Sequence, residues 1–179
     1  MYTTVDHCFI DRAVNTNSTM FQTVGVQGTM AEDQVPFKLV NIPGKGQGLV
    51  SNRKLHPGTI ICTEKPLIMV NTVGAVKEVY PVFQSLNEDK KEAVLSLFDP
   101  GDELYPMFRL LTQDETERTV LRIFQTNCID LCSHQEMNIN KSGLYQTISK
   151  INHSCSPNVV WTWLKEDSSK STKQVTTIL

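Results

Sequence analysis

Along this chain of 179 residues the spacing of apolar and polar positions changes period twice. From Phe37 the period is two. Phe37, Leu39 and Asn41 fall on one side of an extended segment, and Lys38, Val40 and Ile42 on the other. Pro43-Gly44-Lys45-Gly46-Gln47-Gly48 breaks that segment and Leu49-Val50 resumes it. His56-Pro57-Gly58 reads as a turn. Thr59-Ile60-Ile61-Cys62 and Leu67-Ile68-Met69-Val70 are two further β-rich runs, parted by Glu64-Lys65-Pro66. Short strands punctuated by Gly and Pro predict a β-rich architecture.

The period then lengthens, and residues from about 77 to 135 read as a helical insertion. Asn87 is placed to cap a helix over 88–98, with Glu88 and Asp89 in the first turn, where the helix dipole favours negative charge. Ala93, Val94, Leu97 and Phe98 recur at helical spacing, and Asp99-Pro100-Gly101-Asp102 ends the run. Thr112-Gln113-Asp114-Glu115 has the form of a capping box opening a second helix. Val120, Leu121, Ile123, Phe124 and Cys128 make the apolar stripe of that helix. Cys128 and Cys132 then stand four apart at its end, as small core residues or as candidate metal ligands.

From Gly143 the chain turns extended again through Leu144, Ile148 and Ile151, then Val159 to Leu164. A polar stretch over 165–173 reads as a hairpin loop, and 174–179 as one more strand. Residues 1–36 are polar and without period, a disordered extension ahead of a single domain over 37–179. The His7-Cys8 pair lies in that extension.

Hydrophobic residues make up 40% of the chain, enough for a core. Seventeen Lys and Arg against nineteen Asp and Glu leave a net charge of -2, which argues against a nucleic-acid partner needing a basic stripe. No apolar run approaches the ~20 residues of a membrane span, and the start lacks the pattern of a signal peptide. Five cysteines at irregular spacings fit reduced thiols in an intracellular compartment, nucleus or cytoplasm.

Two motifs carry the candidate chemistry. Gly44-x-Gly46-x-Gly48 allows backbone amides to approach a ligand, with Lys45 adding a positive charge. A phosphate, a carboxylate and a plain glycine-rich hairpin all fit that loop, although neither the P-loop nor the dinucleotide-binding spacing is present. The second motif, Asn152-His153-Ser154-Cys155-Ser156-Pro157-Asn158, sets a dense polar cluster between apolar flanks. Buried polar groups need partners, so this cluster reads as a binding segment, extended at Ser156 ahead of Pro157. Cys155 with His153 is a nucleophile–base candidate only if the two side chains converge. Two positions apart in a strand, they are expected to point outward in parallel. Cys155 as one zinc ligand and the segment as a structural corner are the other readings.

Taken together, the two motifs with a helical insert between them resemble the SET domain, the family of protein-lysine methyltransferases that use S-adenosylmethionine. The resemblance covers about residues 37–179. It is closest to the MYND-associated (SMYD-like) branch and its relatives without that finger, since residues 49–77 leave no room for the finger's Cys and His pairs. Gly44-Lys45-Gly46-Gln47-Gly48-Leu49 matches the family's opening loop, and Ile123-Phe124-Gln125-Thr126-Asn127 a segment whose Asn contacts the cofactor. Gly143-Leu144-Tyr145 and Ile148 through Cys155 match the approach to its signature.

The resemblance implies a β-rich α+β fold, with short antiparallel strands in small sheets and a helical insertion. It implies that Lys45, Gly46 and Gln47 border the amino-acid end of S-adenosylmethionine, that Asn127 and Asn152 hydrogen-bond it, and that the His153 backbone reads the adenine. The substrate it implies is a protein lysine, a histone among the candidates. Cys155 would join three downstream cysteines around zinc. Those cysteines and the lysine-channel tyrosine belong beyond Leu179, so the domain reads as C-terminally incomplete and no catalytic residue is assigned. A non-catalytic interaction module on the same scaffold is the alternative function.

Overall fold

Pro43 and Gly44 bend a long hairpin of two strands. The computed structural model describes residues 8–9, 11–12, 35–133, 136–155, 157–164 and 174–178. Strands β3 (Phe37–Ile42) and β4 (Gly46–Ser51) pair antiparallel, in a register that sets Asn41 opposite Gln47 and Ile42 opposite Gly46. Strands β5 (Ile60–Glu64) and β6 (Ile68–Asn71) follow, separated by Lys65, Pro66 and Leu67; Glu64, expected in the break, ends β5, and Leu67, expected in the second run, precedes β6.

Four helices come next. They are α1 (Ala75–Gln84), α2 (Glu88–Leu95), α3 (Phe108–Leu111) and α4 (Glu115–Asn127). Asn87 caps α2 as expected, its side chain accepting from Lys90 N. At α4 the cap is Asp114, not Thr112, and its carboxylate accepts from Glu117 N at 3.1 Å. Asp114-x-x-Glu117 has the spacing of a capping box too, and Thr112 Oγ1 instead accepts from Asp114 N at 3.1 Å.

The helical insertion is shorter than the expected 77–135. Strand β7 (Ile129–Ser133) begins two residues after α4 and pairs antiparallel with β8 (Glu136–Leu144). Cys128 is the C-cap of α4 and Cys132 lies in β7, so the two do not share a helix face. The chain then passes through a 3₁₀ turn (Ile148–Lys150) into β9 (Asn152–His153), β10 (Val160–Leu164) and β11 (Gln174–Ile178). The hairpin loop expected over 165–173 lies outside the described residues.

Within the stretch expected to be a disordered extension, β1 (Cys8–Phe9) pairs with β9 and β2 (Asp11–Arg12) with β4. The β2–β4 pairing is parallel, a departure from the otherwise antiparallel sheets. A parallel partner needs a long connection, which the chain between β2 and β3 supplies. The described strands form three sheets of three and one pair, in the orders β10-β11-β5, β2-β4-β3, β6-β8-β7 and β1-β9. The β-rich α+β expectation of small sheets with helices is met.

Among the described residues burial divides into three clusters. The largest packs α1, α2 and α4 against β6 and β8, through Val79, Phe83, Val94, Val120, Ile123 and Leu144 among others. A second joins Ile129, Tyr145 and Ile148, and a third Leu49, Ile61 and Val159. Ile151 packs against both smaller clusters. The segment between Tyr145 and Asn152 is therefore held by apolar contacts at Tyr145, Ile148 and Ile151.

Candidate functional site

The β3–β4 hairpin turns tightly because Ile42 O accepts from Lys45 N at 3.0 Å, with Pro43 and Gly44 as the central residues. Gly44 has φ of 74°, and Pro followed by a positive-φ Gly is the type II turn signature. Gly48 is needed for a different reason. A Cβ there would collide with Asn152 Nδ2 and Ile42 Cδ1. The bare backbone lets Asn152, from the second motif, rest on the hairpin. Its Nδ2 donates to Gln47 O at 3.4 Å across a separation of 105 residues.

That contact closes one side of a cavity of about 640 Å³. The hairpin supplies Asn41, Gly44, Lys45, Gly46 and Gln47 to its wall, and residues 149–152 supply Ser149, Lys150, Ile151 and Asn152. Asn127, at the end of α4, and Phe98 complete it. Of the residues expected to bind the cofactor, Lys45, Gly46, Gln47, Asn127 and Asn152 thus share one cavity wall. His153 is not part of the lining; its side chain is exposed and its backbone runs opposite Cys8.

Asn127 is held from both ends. Its Nδ2 donates to Phe98 O at 2.8 Å and to Ile123 O at 2.7 Å. Its backbone carbonyl accepts from Ser149 Oγ at 2.9 Å, and that hydroxyl accepts from Tyr145 N at 3.0 Å. With the amide nitrogen committed to two carbonyls, any ligand contact of this side chain falls to Oδ1, an acceptor. Phe98 was expected in the apolar stripe of α2. That helix ends at Leu95, and Phe98 is 67% exposed on the cavity wall.

The loop carrying Phe98 is pinned by charge. Buried Arg122 donates from Nε to Asp99 Oδ1 and from Nη2 to Asp99 Oδ2, both at 2.8 Å, and from Nη1 to Asp102. Arg109 Nε adds a 2.8 Å bond to Asp102. The hydrogen bonds from Arg122 hold the Asp99 carboxyl below the usual carboxylate range. Those from Arg109, with the charge of Arg122 beside them, do the same for Asp102.

The turn beneath the cavity has a carboxylate at its base. Glu64 accepts from Gln146 N at 2.9 Å, Thr147 N at 3.0 Å and Ile148 N at 3.0 Å. Burial raises its carboxyl above the ordinary value, and the three N–H groups and Lys150 oppose that rise. Burial lowers Lys150, with Glu64 opposing. Tyr145 is fully buried, its phenol is pushed up by burial, and its hydroxyl has no hydrogen-bond partner among the described residues.

His153 and Cys155 do converge, against the expectation of parallel side chains. Nε2 and Sγ lie 3.5 Å apart, because β9 stops at His153 and the backbone bends at Cys155. Among the described residues, no group of three or more His, Cys, Asp or Glu is placed to hold a metal ion.

A family model described as the SET domain matches residues 46–178, well over half of the chain. The chain belongs to the SET domain family. A curated relative, Histone-lysine N-methyltransferase set5 of Schizosaccharomyces pombe, is 30% identical over 127 residues. The alignment covers 71% of this chain and 34% of the relative, so the chain spans about a third of that protein's length. The SET domain match takes in β4, the helical insertion and the Asn152–His153 strand, and so all of the cavity wall except Asn41, Gly44 and Lys45. Phe98, Ser149, Lys150 and Glu64 are the site residues that sequence reasoning left without a role. Phe98 was read as helix stripe, and Glu64 only as punctuation between strands.

Proposed function

We propose that this chain holds the methyl donor, S-adenosylmethionine, of a protein-lysine methyltransferase. The observation that carries the reading is the convergence of two distant motifs, residues 44–48 and 149–152, on one cavity. The chemistry of the wall suits that donor. Lys45 and Lys150 offer cations to a carboxylate, and Asn127 Oδ1 and Asn152 Oδ1 are acceptors for an ammonium. Gly46 and Gln47 border the amino-acid end in this reading. The resemblance puts the purine beside the His153 backbone, immediately past Asn152.

When bound, the donor supplies an electrophilic methyl on sulfur, which the deprotonated amine of a substrate lysine takes in a single displacement. The residues of this chain hold the donor, orient it and keep its methyl aimed along one line, and such orientation is worth several kcal/mol of barrier (roughly 7–11 at the upper end). A histone is the substrate class that the relative's name points to, which would place the protein in the nucleus or the cytoplasm. Among the described residues no helix is long and apolar enough to cross a membrane. Within the family we place the chain beside the MYND-associated branch, on residues 44–49, 123–127 and 143–155.

Calorimetry with S-adenosylmethionine tests the reading. The wild-type chain should bind and Asn152→Ala should bind at least about tenfold more weakly. A folded sample that takes up no donor removes it. The natural full-length protein should transfer radiolabelled methyl to histone lysines.

A second reading, a non-catalytic interaction module, draws on the exposed apolar side chains of Leu104, Met107, Leu110 and Leu111 around α3. Donor binding without methyl transfer by the full-length protein would favour it.

A further inference from the structure

We propose that Glu64 is a positioning residue for the donor cavity. It acts by fixing the backbone of residues 146–148, which presents Ser149, Lys150 and Asn152 to the ligand. The inference rests on the reading of the cavity as a methyl-donor site.

The geometry is specific. Glu64 closes β5 and reaches across 82 to 84 residues of sequence to the entry of the 3₁₀ turn. Three consecutive amides, of Gln146, Thr147 and Ile148, converge on its two oxygens. Such a run of N–H groups at the start of a helical turn is an anion-holding arrangement. Here the anion is a side chain of the protein itself. No ion pair among the described residues includes Glu64, so its charge is balanced by peptide dipoles, with Lys150 as the nearby cation.

The turn it fixes leads straight into the wall. Lys150 N donates to Thr147 O and Ile151 N to Ile148 O, both at 3.0 Å, so the turn is continuous from the anchored amides to the residue before Asn152. Ser149 ties the same turn to the carbonyl of Asn127. Two of the amide side chains expected to grip the donor, Asn127 and Asn152, are thereby referenced to one short segment, and Glu64 holds that segment at its start.

A carboxylate suits this role because it accepts at every lone pair and donates at none. Glutamine would turn an NH₂ group toward at least one of the three amides, and alanine would leave all three without an acceptor.

The test compares wild type, Glu64→Gln, Asn152→Ala and the double variant, by calorimetry with S-adenosylmethionine and by thermal unfolding. Glu64→Gln should bind the donor about tenfold or more weakly than wild type. In the Asn152→Ala background the same change should cost clearly less, because the group it positions is already gone. Equal costs in the two backgrounds, or wild-type affinity in a folded Glu64→Gln sample, overturns the positioning role and leaves the donor-site reading standing. No donor binding by folded wild type overturns both. Should Glu64→Gln fail to fold, hydrogen exchange on wild type decides. Amides 146–148 are expected to be protected, and exchange at the rate of exposed loop amides refutes the anchor.

Discussion

Replacing Gly48 with alanine separates folding from ligand binding in this domain. Gly48 lies in β4, and its φ is not positive, so the backbone itself accepts alanine. The obstacle is space. The new Cβ would stand within 3.0 Å of both Asn152 Nδ2 and Ile42 Cδ1, closer than real Cβ atoms come. Ile42 can swing its terminal methyl away. Asn152 has a short side chain, so its amide must leave the hairpin and give up Gln47 O.

Overpacking of this kind costs about 1–3 kcal/mol, and the lower chain entropy of alanine when unfolded returns about 0.4–1 kcal/mol. A domain of this size tolerates that loss. In the proposed site the displaced amide would also lose its bond to the charged end of the donor, worth about 1.5–3 kcal/mol, or roughly 10- to 100-fold in Kd. Gly48→Ala should therefore unfold a few degrees below wild type yet bind S-adenosylmethionine at least about tenfold more weakly, by calorimetry on folded samples. Wild-type affinity in that variant would show that the Gly48–Asn152 contact has no part in the site.

Asn127→Ala removes the donor that ties Phe98 O and Ile123 O together, so chemical denaturation should register a loss of about 1–3 kcal/mol, together with weaker donor uptake. Arg122→Ala leaves Asp99 and Asp102 without their buried partner and should cost about 3 kcal/mol by the same assay. Asp99 is held below its ordinary value of 3.8, so its contribution is complete at neutral pH and fades as pH falls through the lowered native value. The stability gap between wild type and Asp99→Asn should accordingly close in acid. Unfolding measured across pH 3 to 8 checks that slope, and a gap that stays constant would refute the assignment.

Much of the local structure was legible in the order of residues. Pro43-Gly44 dictated a turn, Asn87 a helix start, and the period-two runs β3, β5 and β6, because each depends on sterics or hydrogen bonds within a few positions. The specificity of the residue 152–158 motif was enough to associate two segments a hundred residues apart. Strand β7 and the first half of β8 escaped although Ile129-Asp130-Leu131 and Glu136-Met137-Asn138-Ile139-Asn140 both alternate, because the helical period of α4 was carried on to 135, past the end of that helix at Asn127. The cap of α4 fell two residues later than the Thr112 capping box, at Asp114, which accepts from Glu117 N while Thr112 Oγ1 accepts from Asp114 N. Tertiary structure alone decided that Glu64 holds the 146–148 amides, that Phe98 faces a cavity, and that His153 and Cys155 bend together. Each of these depends on how sheets and helices settle over one another, and that arrangement follows from burial summed across the whole core.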